Sequence, residues 1–136
     1  CYEEINLVAI QEASNFGWSE REGMHDYDES DDCTSPPTEP ANQNLTDPII
    51  EYPHIGGNCS ITGGFWMDWG PESMQASYVY GDFCTGSIWQ ITATNSGWES
   101  NFITSVGTQI TGFGQGINDE LLIFSWIGAI YHIYEV

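Results

Sequence analysis

Apolar and polar positions alternate in short runs along most of this chain, and clusters of Gly, Pro, Asn and Asp separate the runs. That is the pattern of half-buried strands joined by turns. It predicts strands at Ile49 to Tyr52, Ser60 to Asp68, Ser77 to Phe83, Ser87 to Thr94, Asn101 to Gln109, Ile110 to Phe113, Glu120 to Trp126 and Ala129 to Val136. Apolar spacing of three and four does not persist anywhere long enough to mark an amphipathic helix, so the chain reads as all-β. Near the start, Tyr2 to Ile10 is apolar on both faces: Ile5, Leu7 and Ala9 share one, Val8 and Ile10 the other. It is expected to be a strand buried on both sides over most of its length. Ser19 to Asp47 breaks the pattern. This segment is acidic, rich in Pro, Ser and Asn, and nearly free of aliphatic residues, which predicts one long exposed loop of the kind that is usually functional or mobile.

Composition adds a core and an unusual charge. Six Trp, seven Tyr and six Phe in 136 residues suffice for a packed interior. Twenty Asp and Glu face a single basic residue, Arg21, for a formal net charge of −19. Nucleic acid and anionic membrane surfaces would be repelled, and cations are the natural small partners. The carboxylates can equally serve to solubilise the surface. No run approaches the roughly 18 to 20 apolar residues of a membrane span, and no charged and apolar leader opens the chain.

Cys1, Cys33, Cys59 and Cys84 lack the spacing of zinc or redox sites, which points to disulfides in an oxidising compartment. If the strands at Ser60 and Ser77 form a hairpin about a turn at Trp69 to Ser73, Cys59 and Cys84 lie nearly opposite each other. Two N-glycosylation sequons, Asn44-Leu45-Thr46 and Asn58-Cys59-Ser60, fit a secretory route. The expected location is therefore extracellular.

Within the acidic segment, Asp26, Asp28, Ser30 and Asp32 occupy positions 1, 3, 5 and 7 of a calcium-loop-like pattern. Position 6 is Asp31 instead of Gly, and position 12 is Pro37 instead of the bidentate Glu. Calcium is thus one expectation, and a merely solvated acidic loop is the other. Among the aromatics, Trp66, Tyr78, Tyr80, Phe83, Trp89, Phe124, Trp126 and Tyr131 fall in predicted strands and are expected in the core. Trp18 and Trp69 flank loops and are the expected exposed pair for carbohydrate or partner contact. His132 reads as a structural residue on a strand face with Ile130 and Tyr134.

Residues 51 to 91 are less generic. The stretches "EYPHIGGNCSITGGFWM" and "YVYGDFCTGSIWQI", with "YEEINLV" and "NFGWSEREG" upstream and "ELLIFSWIGAIYHIYEV" at the end, resemble the C-terminal part of the pyrroloquinoline-quinone (PQQ)-dependent soluble sugar (aldose or sorbosone) dehydrogenase family. Those proteins are six-bladed β-propellers, and hedgehog-interacting proteins contain a related one. The resemblance implies antiparallel four-stranded blades, about two of them here: residues 1–58 the last strands of a preceding blade plus the long acidic loop (19–47), residues 59–109 a complete blade, and residues 110–136 three strands of a final incomplete one. It also implies a quinone cofactor and calcium on the top face of the ring, with His25 and His54 where the family tends to have His near the site rim.

The chain departs from the family at cationic positions. Ser87 and Asp68 stand where arginines are common, so the tricarboxylate cofactor would have almost nothing basic to pair with. The family often has Cys at the places of Cys59 and Cys84, whereas Cys33 is left to pair with Cys1 or with another molecule. Three functions follow as expectations. The first is a secreted propeller segment with a structural or interaction role, completed through its open β-edges by copies of itself or by a missing propeller part. The others are the C-terminal part of an active PQQ-dependent aldose dehydrogenase and a calcium-dependent binding module.

Overall fold

The computed structural model describes residues 1–40 and 44–134. Among the described residues the regular structure is antiparallel β with one 3-10 turn at Glu72–Met74, and no sheet closes on itself. The chain forms two compact units, Cys1–Gly56 and Gly57–Val136.

In the first unit, β1 (Tyr2–Ile5) pairs with β4 (Ile50–Pro53), Tyr2 opposite Pro53 and Ile5 opposite Ile50. Between them β2 (Arg21–Glu22) and β3 (His25–Asp26) form a minimal hairpin. The expected loop over 19–47 is therefore not wholly exposed: Arg21, Gly23 and His25 are buried. The reason is the turn. Gly23 adopts φ +63° and gives its N–H to Glu4 Oε2 at 3.0 Å, and a Cβ there would run into the Glu51 carboxylate. A propensity scan sees a polar stretch, but tertiary carboxylates supply partners that let it fold inward. Residues 41–43 of the expected loop lie outside the described residues.

The strand predicted over Tyr2 to Ile10 is shorter than its apolar pattern. It stops at Ile5, and Leu7, Val8 and Ile10 are 60%, 45% and 96% exposed. Apolar alternation marks what a strand could bury, whereas a ladder needs a second strand to bond.

The second unit holds two sheets. β5 (Ile61–Met67), β6 (Ser77–Asp82), β7 (Ser87–Thr94) and β8 (Gly97–Ser105) form a meander in sequence order. β9 (Ile110–Gln115), β10 (Leu121–Ser125) and β11 (Ile130–Ile133) form a three-stranded meander. β8 begins four residues before the predicted start at Asn101, because Thr94 pairs directly with Gly97 across Asn95-Ser96. That two-residue loop is a tight hairpin turn, and β8 starts where the turn ends. The strand expected to run from Ala129 to Val136 is observed at Ile130–Ile133; residues 135–136 lie outside the described residues.

Period-two alternation places Met67, Val79, Ile88, Ile110, Leu121 and Ile123 in one cluster, all fully buried, with Met74 beside them. Phe65, Ile103, Val106, Phe113, Tyr131 and Ile133 pack around it. Two shifts of register have a visible packing role. At Thr62/Phe65 the extra residues are Gly63 and Gly64, and a Cβ on Gly64 would collide with the Val79 carbonyl. On β8 an extra residue opposite Ile88/Trp89 lets Ile103 reach the core.

The opposite face of the four-stranded sheet carries a row of rings. Tyr80 pairs with Trp89 and Trp89 with Phe102, at centroid separations of 5.6 and 6.0 Å. Tyr80 is buried and Phe102 is 61% exposed, so the row runs from interior to solvent. Of the aromatics expected in the core, Tyr80 is buried and Tyr131 packs on the cluster, Tyr78, Phe83, Trp89 and Phe124 are half-buried outside it, and Trp66 and Trp126 are 49% and 71% exposed. Trp66 lies on the face of β5 opposite Phe65 and Met67, and Trp126 follows the last residue of β10, beyond the alternation. Trp69, expected in solvent, is half-buried edge-on to Phe65 at 5.5 Å.

Candidate functional site

The densest polar cluster in the first unit centres on His25. Its ring stacks on Tyr2 at 3.7 Å with planes 7° apart. Nε2 lies 2.9 Å from Glu51 Oε1, while Glu51 Oε2 accepts the Met24 N–H at 2.6 Å. On the other side, Nδ1 is 3.5 Å from Ser35 Oγ, which is also 3.2 Å from the Tyr2 hydroxyl and donates to Asp31. A Ser-His-Glu series invites comparison with a nucleophile and its base. The chemistry is different here. Ser35 spends its proton on the Asp31 carboxylate, and the imidazole lies beneath Tyr2 at 4% exposure. The geometry makes His25 a clasp that joins β1, β3 and β4 to the following loop, tightened by the disulfide between Cys1 and Cys33. His54 is exposed and bonded to Glu3 at 2.9 Å.

Arg21, the chain's only basic side chain apart from the histidines, is equally committed. It is 3% exposed, Nη1 donates to Thr38 Oγ1 at 3.2 Å, and Nη2 donates to the Thr38 carbonyl at 3.0 Å and to Asp47 at 3.2 Å. Asp26 adds an ion pair at 3.5 Å. A quinone tricarboxylate needs cationic partners, and these residues do not fit it: Arg21 faces two carboxylates of its own, Asp68 is exposed, and Ser87 gives its N–H to Thr85.

The four residues of the calcium-like pattern line a cleft of about 450 Å³ with His25, Asp31 and Ser35. Their oxygens turn onto their own loop. Asp28 accepts the Ser30 N–H and hydroxyl at 2.8 and 2.7 Å, Asp32 accepts those of Thr34 at 3.2 and 2.5 Å, and Asp26 faces Arg21. These are side-chain-to-backbone turns. They hold Asp28 below its ordinary pKa, chiefly through the Ser30 hydroxyl, and Asp31 below its own, chiefly through the Ser35 hydroxyl. Among the described residues no three His, Cys, Asp or Glu side chains converge as a metal cage. Trp18, expected in solvent, is 72% exposed and meets Tyr27 edge-on at 4.9 Å.

In the second unit, a cleft of about 830 Å³ opens between β8 and β11, lined by Met74, Ile103, Val106, Tyr131, Ile133 and Tyr134 together with His132 and small polar residues. It carries no carboxylate. It lies along the outer strand of the three-stranded sheet, beside the outer strand of the four-stranded one.

The same unit holds a residue that sequence reasoning passed over. Asp82, fully buried at the end of β6, accepts the N–H groups of Cys59 and Ser60 at 2.8 and 2.9 Å on Oδ2, and the N–H and hydroxyl of Thr85 at 2.8 and 2.9 Å on Oδ1. With the Cys59–Cys84 disulfide it ties the entry of β5 to the exit of β6. The readable half of this signal is Asp82 with Thr85 three residues on, a spacing at which an Asp side chain can bond its own following backbone. Nothing local announces Cys59 and Ser60. Similarly, Glu51 reads as a solvent-facing acid between Ile50 and Tyr52, and the buried donors that claim it lie 26 and 27 residues away.

No family model matches the chain, and no solved structure matches it.

Proposed function

We propose that this chain is a secreted, sugar-dehydrogenase-like β-propeller segment whose role is structural or interactive, completed through its open β-edges by another strand. The observation that carries the reading is the apolar, carboxylate-free cleft beside β11. A four-stranded sheet stands next to a three-stranded one, and the lining side chains Ile103, Val106, Tyr131 and Ile133 form the dry surface that a further strand on β11 would cover. In propeller terms, β5 to β8 are one blade and β9 to β11 are most of the next. Two disulfides suit an extracellular setting. The acidic surface makes association of like chains dependent on screening, since copies carrying −19 repel each other at low salt.

The test is the mass of the native material, taken under native conditions and after denaturation with disulfides intact and then reduced. The reading predicts a native mass well above 15.2 kDa. It also predicts no dye reduction with aldoses after addition of quinone and calcium. A stable monomer at micromolar concentration with no covalent extension overturns the edge-completion role, and quinone-dependent turnover overturns the non-catalytic one.

A further inference from the structure

Open β-edges are ordinarily guarded by a charge, a proline, a bulge or glycines, because an unguarded edge pairs with whatever strand arrives. Among the described residues the outer strands carry such guards, with one exception. β1 holds Glu3 and Glu4, β4 holds Glu51 and Pro53, and the short β2 and β3 hold Arg21, Glu22 and Asp26. β8 carries Glu99 and a register shift, β5 is interrupted at Gly63 and Gly64, and β9 contains Gly112 and Gly114. The exception is β11. From Ser125 to Tyr134 there is no Asp, Glu, Lys, Arg or Pro, and the strand itself has no Gly. Ser125 gives its N–H to the Ala129 carbonyl at 3.0 Å, so bonding to β10 falls on alternate residues, and Ile130 and His132 turn their N–H and C=O outward. Ile130 and Tyr134 are 65% and 68% exposed, while Tyr131 and Ile133 pack at the margin of the core.

We infer that β11 pairs with β11 of a second copy of this chain, antiparallel about a two-fold axis at His132. The inference rests on the edge-completion reading above and names the strand that does it. The order Ile-Tyr-His-Ile-Tyr over residues 130–134 is self-complementary in this register. Ile130 meets Tyr134 of the partner subunit on one face, Tyr131 meets Ile133 of the partner subunit on the other, and the two His132 backbones exchange N–H and C=O. Every such contact sets an aromatic ring on a β-branched side chain, a pairing that stabilises sheets. A shift by two residues in either direction undoes both matches. Two three-stranded sheets become one of six strands, and the added strand runs along the apolar cleft. Charge points to the same edge: copies carrying −19 repel over most of their surface, and an uncharged strand is where two can come closest. Glu72, Asp119 and Glu120 share a second cleft with His132, Ile133 and Tyr134, so the pair forms better when salt screens them.

The test is sedimentation equilibrium of the full chain, disulfides intact, at about 0.01 M and about 0.15 M salt, where the screening length falls from about 30 Å to about 8 Å. The expected species has twice the 15.2 kDa mass, is favoured at the higher salt, and shows slowed amide exchange at Ile130 and His132 on association. Ile130→Glu puts a carboxylate at an exposed position, and His132→Pro removes an N–H that β10 does not use; circular dichroism checks that each still folds, and Ile130→Glu decides alone if the proline variant does not. Each substitution acts twice in a two-fold pair and should weaken the dimer at least about tenfold. Phe102→Glu, at a similarly exposed ring on β8, should leave it unchanged. A monomer at micromolar concentration and the higher salt overturns both this pairing and the edge-completion reading. A larger assembly, a dimer that resists the β11 substitutions, or one equally lost in Phe102→Glu overturns this pairing alone.

Discussion

Replacing Asp82 with Asn changes one atom, and it probes the clamp that closes the β5–β6 hairpin. The carboxylate meets four donors, two on each oxygen, at 2.8 to 2.9 Å, with no exposure to water. In Asn one oxygen becomes an NH2 group: turned toward Cys59 and Ser60 it opposes two N–H donors, and turned toward Thr85 it opposes the N–H there, since the hydroxyl can rotate to accept. Each hydrogen bond to a charged group contributes about 1.5–3 kcal/mol, and each stranded buried donor costs about 1–3 kcal/mol. Against this, Asn no longer buries a charge, and that relief offsets several kcal/mol of the loss. The expected net destabilisation is about 2–4 kcal/mol for Asp82→Asn and about 3–5 kcal/mol for Asp82→Ala, which strands all four donors. Urea unfolding under oxidising conditions reads this as a lower midpoint at an unchanged slope.

The disulfide provides the internal control. Loop entropy assigns Cys59–Cys84, with a separation of 25 residues, about 3.5 kcal/mol. Because it constrains the same two turns, Asp82→Asn in a Cys59→Ala/Cys84→Ala background should lose less than in the intact chain, with a coupling of at least about 0.5 kcal/mol. A destabilisation by Asp82→Asn under about 0.5 kcal/mol, or strict additivity with the disulfide, would refute the clamp.

Three further outcomes follow from the first unit and the ring row. Glu51→Ala should cost about 2–4 kcal/mol and sharply accelerate amide exchange at Met24, whose N–H loses its acceptor; unchanged exchange there would remove Glu51 from the clasp. Asp31 is depressed in the folded state by the Ser35 hydroxyl, so its contribution is present above the ordinary carboxylate pKa and is lost as pH falls through the folded value. Protection of residues 28–38 from an acid-tolerant protease should thus persist down to about pH 4 and fail below it; loss already above about pH 5 would contradict this. Burial raises the Tyr80 phenol, against a smaller opposing effect of its bond to Ser100. The stability tied to its neutral form is therefore complete below the unfolded value of about 10 and is lost as pH rises through the higher folded one. Phenolate absorbance should show a late-titrating tyrosine that disappears in Tyr80→Phe.

Strand content, turn positions and the all-β class were legible in the order of residues alone, because period-two alternation and Gly, Asn or Pro punctuation are local signals. So was the facing of Cys59 and Cys84, which follows from counting outward from one turn. The limits of β1 were not legible, since Leu7 to Ile10 has strand chemistry without a strand to bond, and neither was the exposure of Trp66 and Trp126, which alternation alone does not decide. The candidate sites divide the same way. A row of acids at alternating positions and two sequons can be read from the chain. Asp28 and Asp32 bond Ser30 and Thr34 two residues on, a local turn spacing, whereas the burial of Arg21 against Asp26 and Asp47 and the clamping of one sequon while the other is exposed depend on partners brought near only by folding. A side chain's identity fixes what it can donate or accept, and the tertiary structure alone decides which of its potential partners arrives within 3 Å.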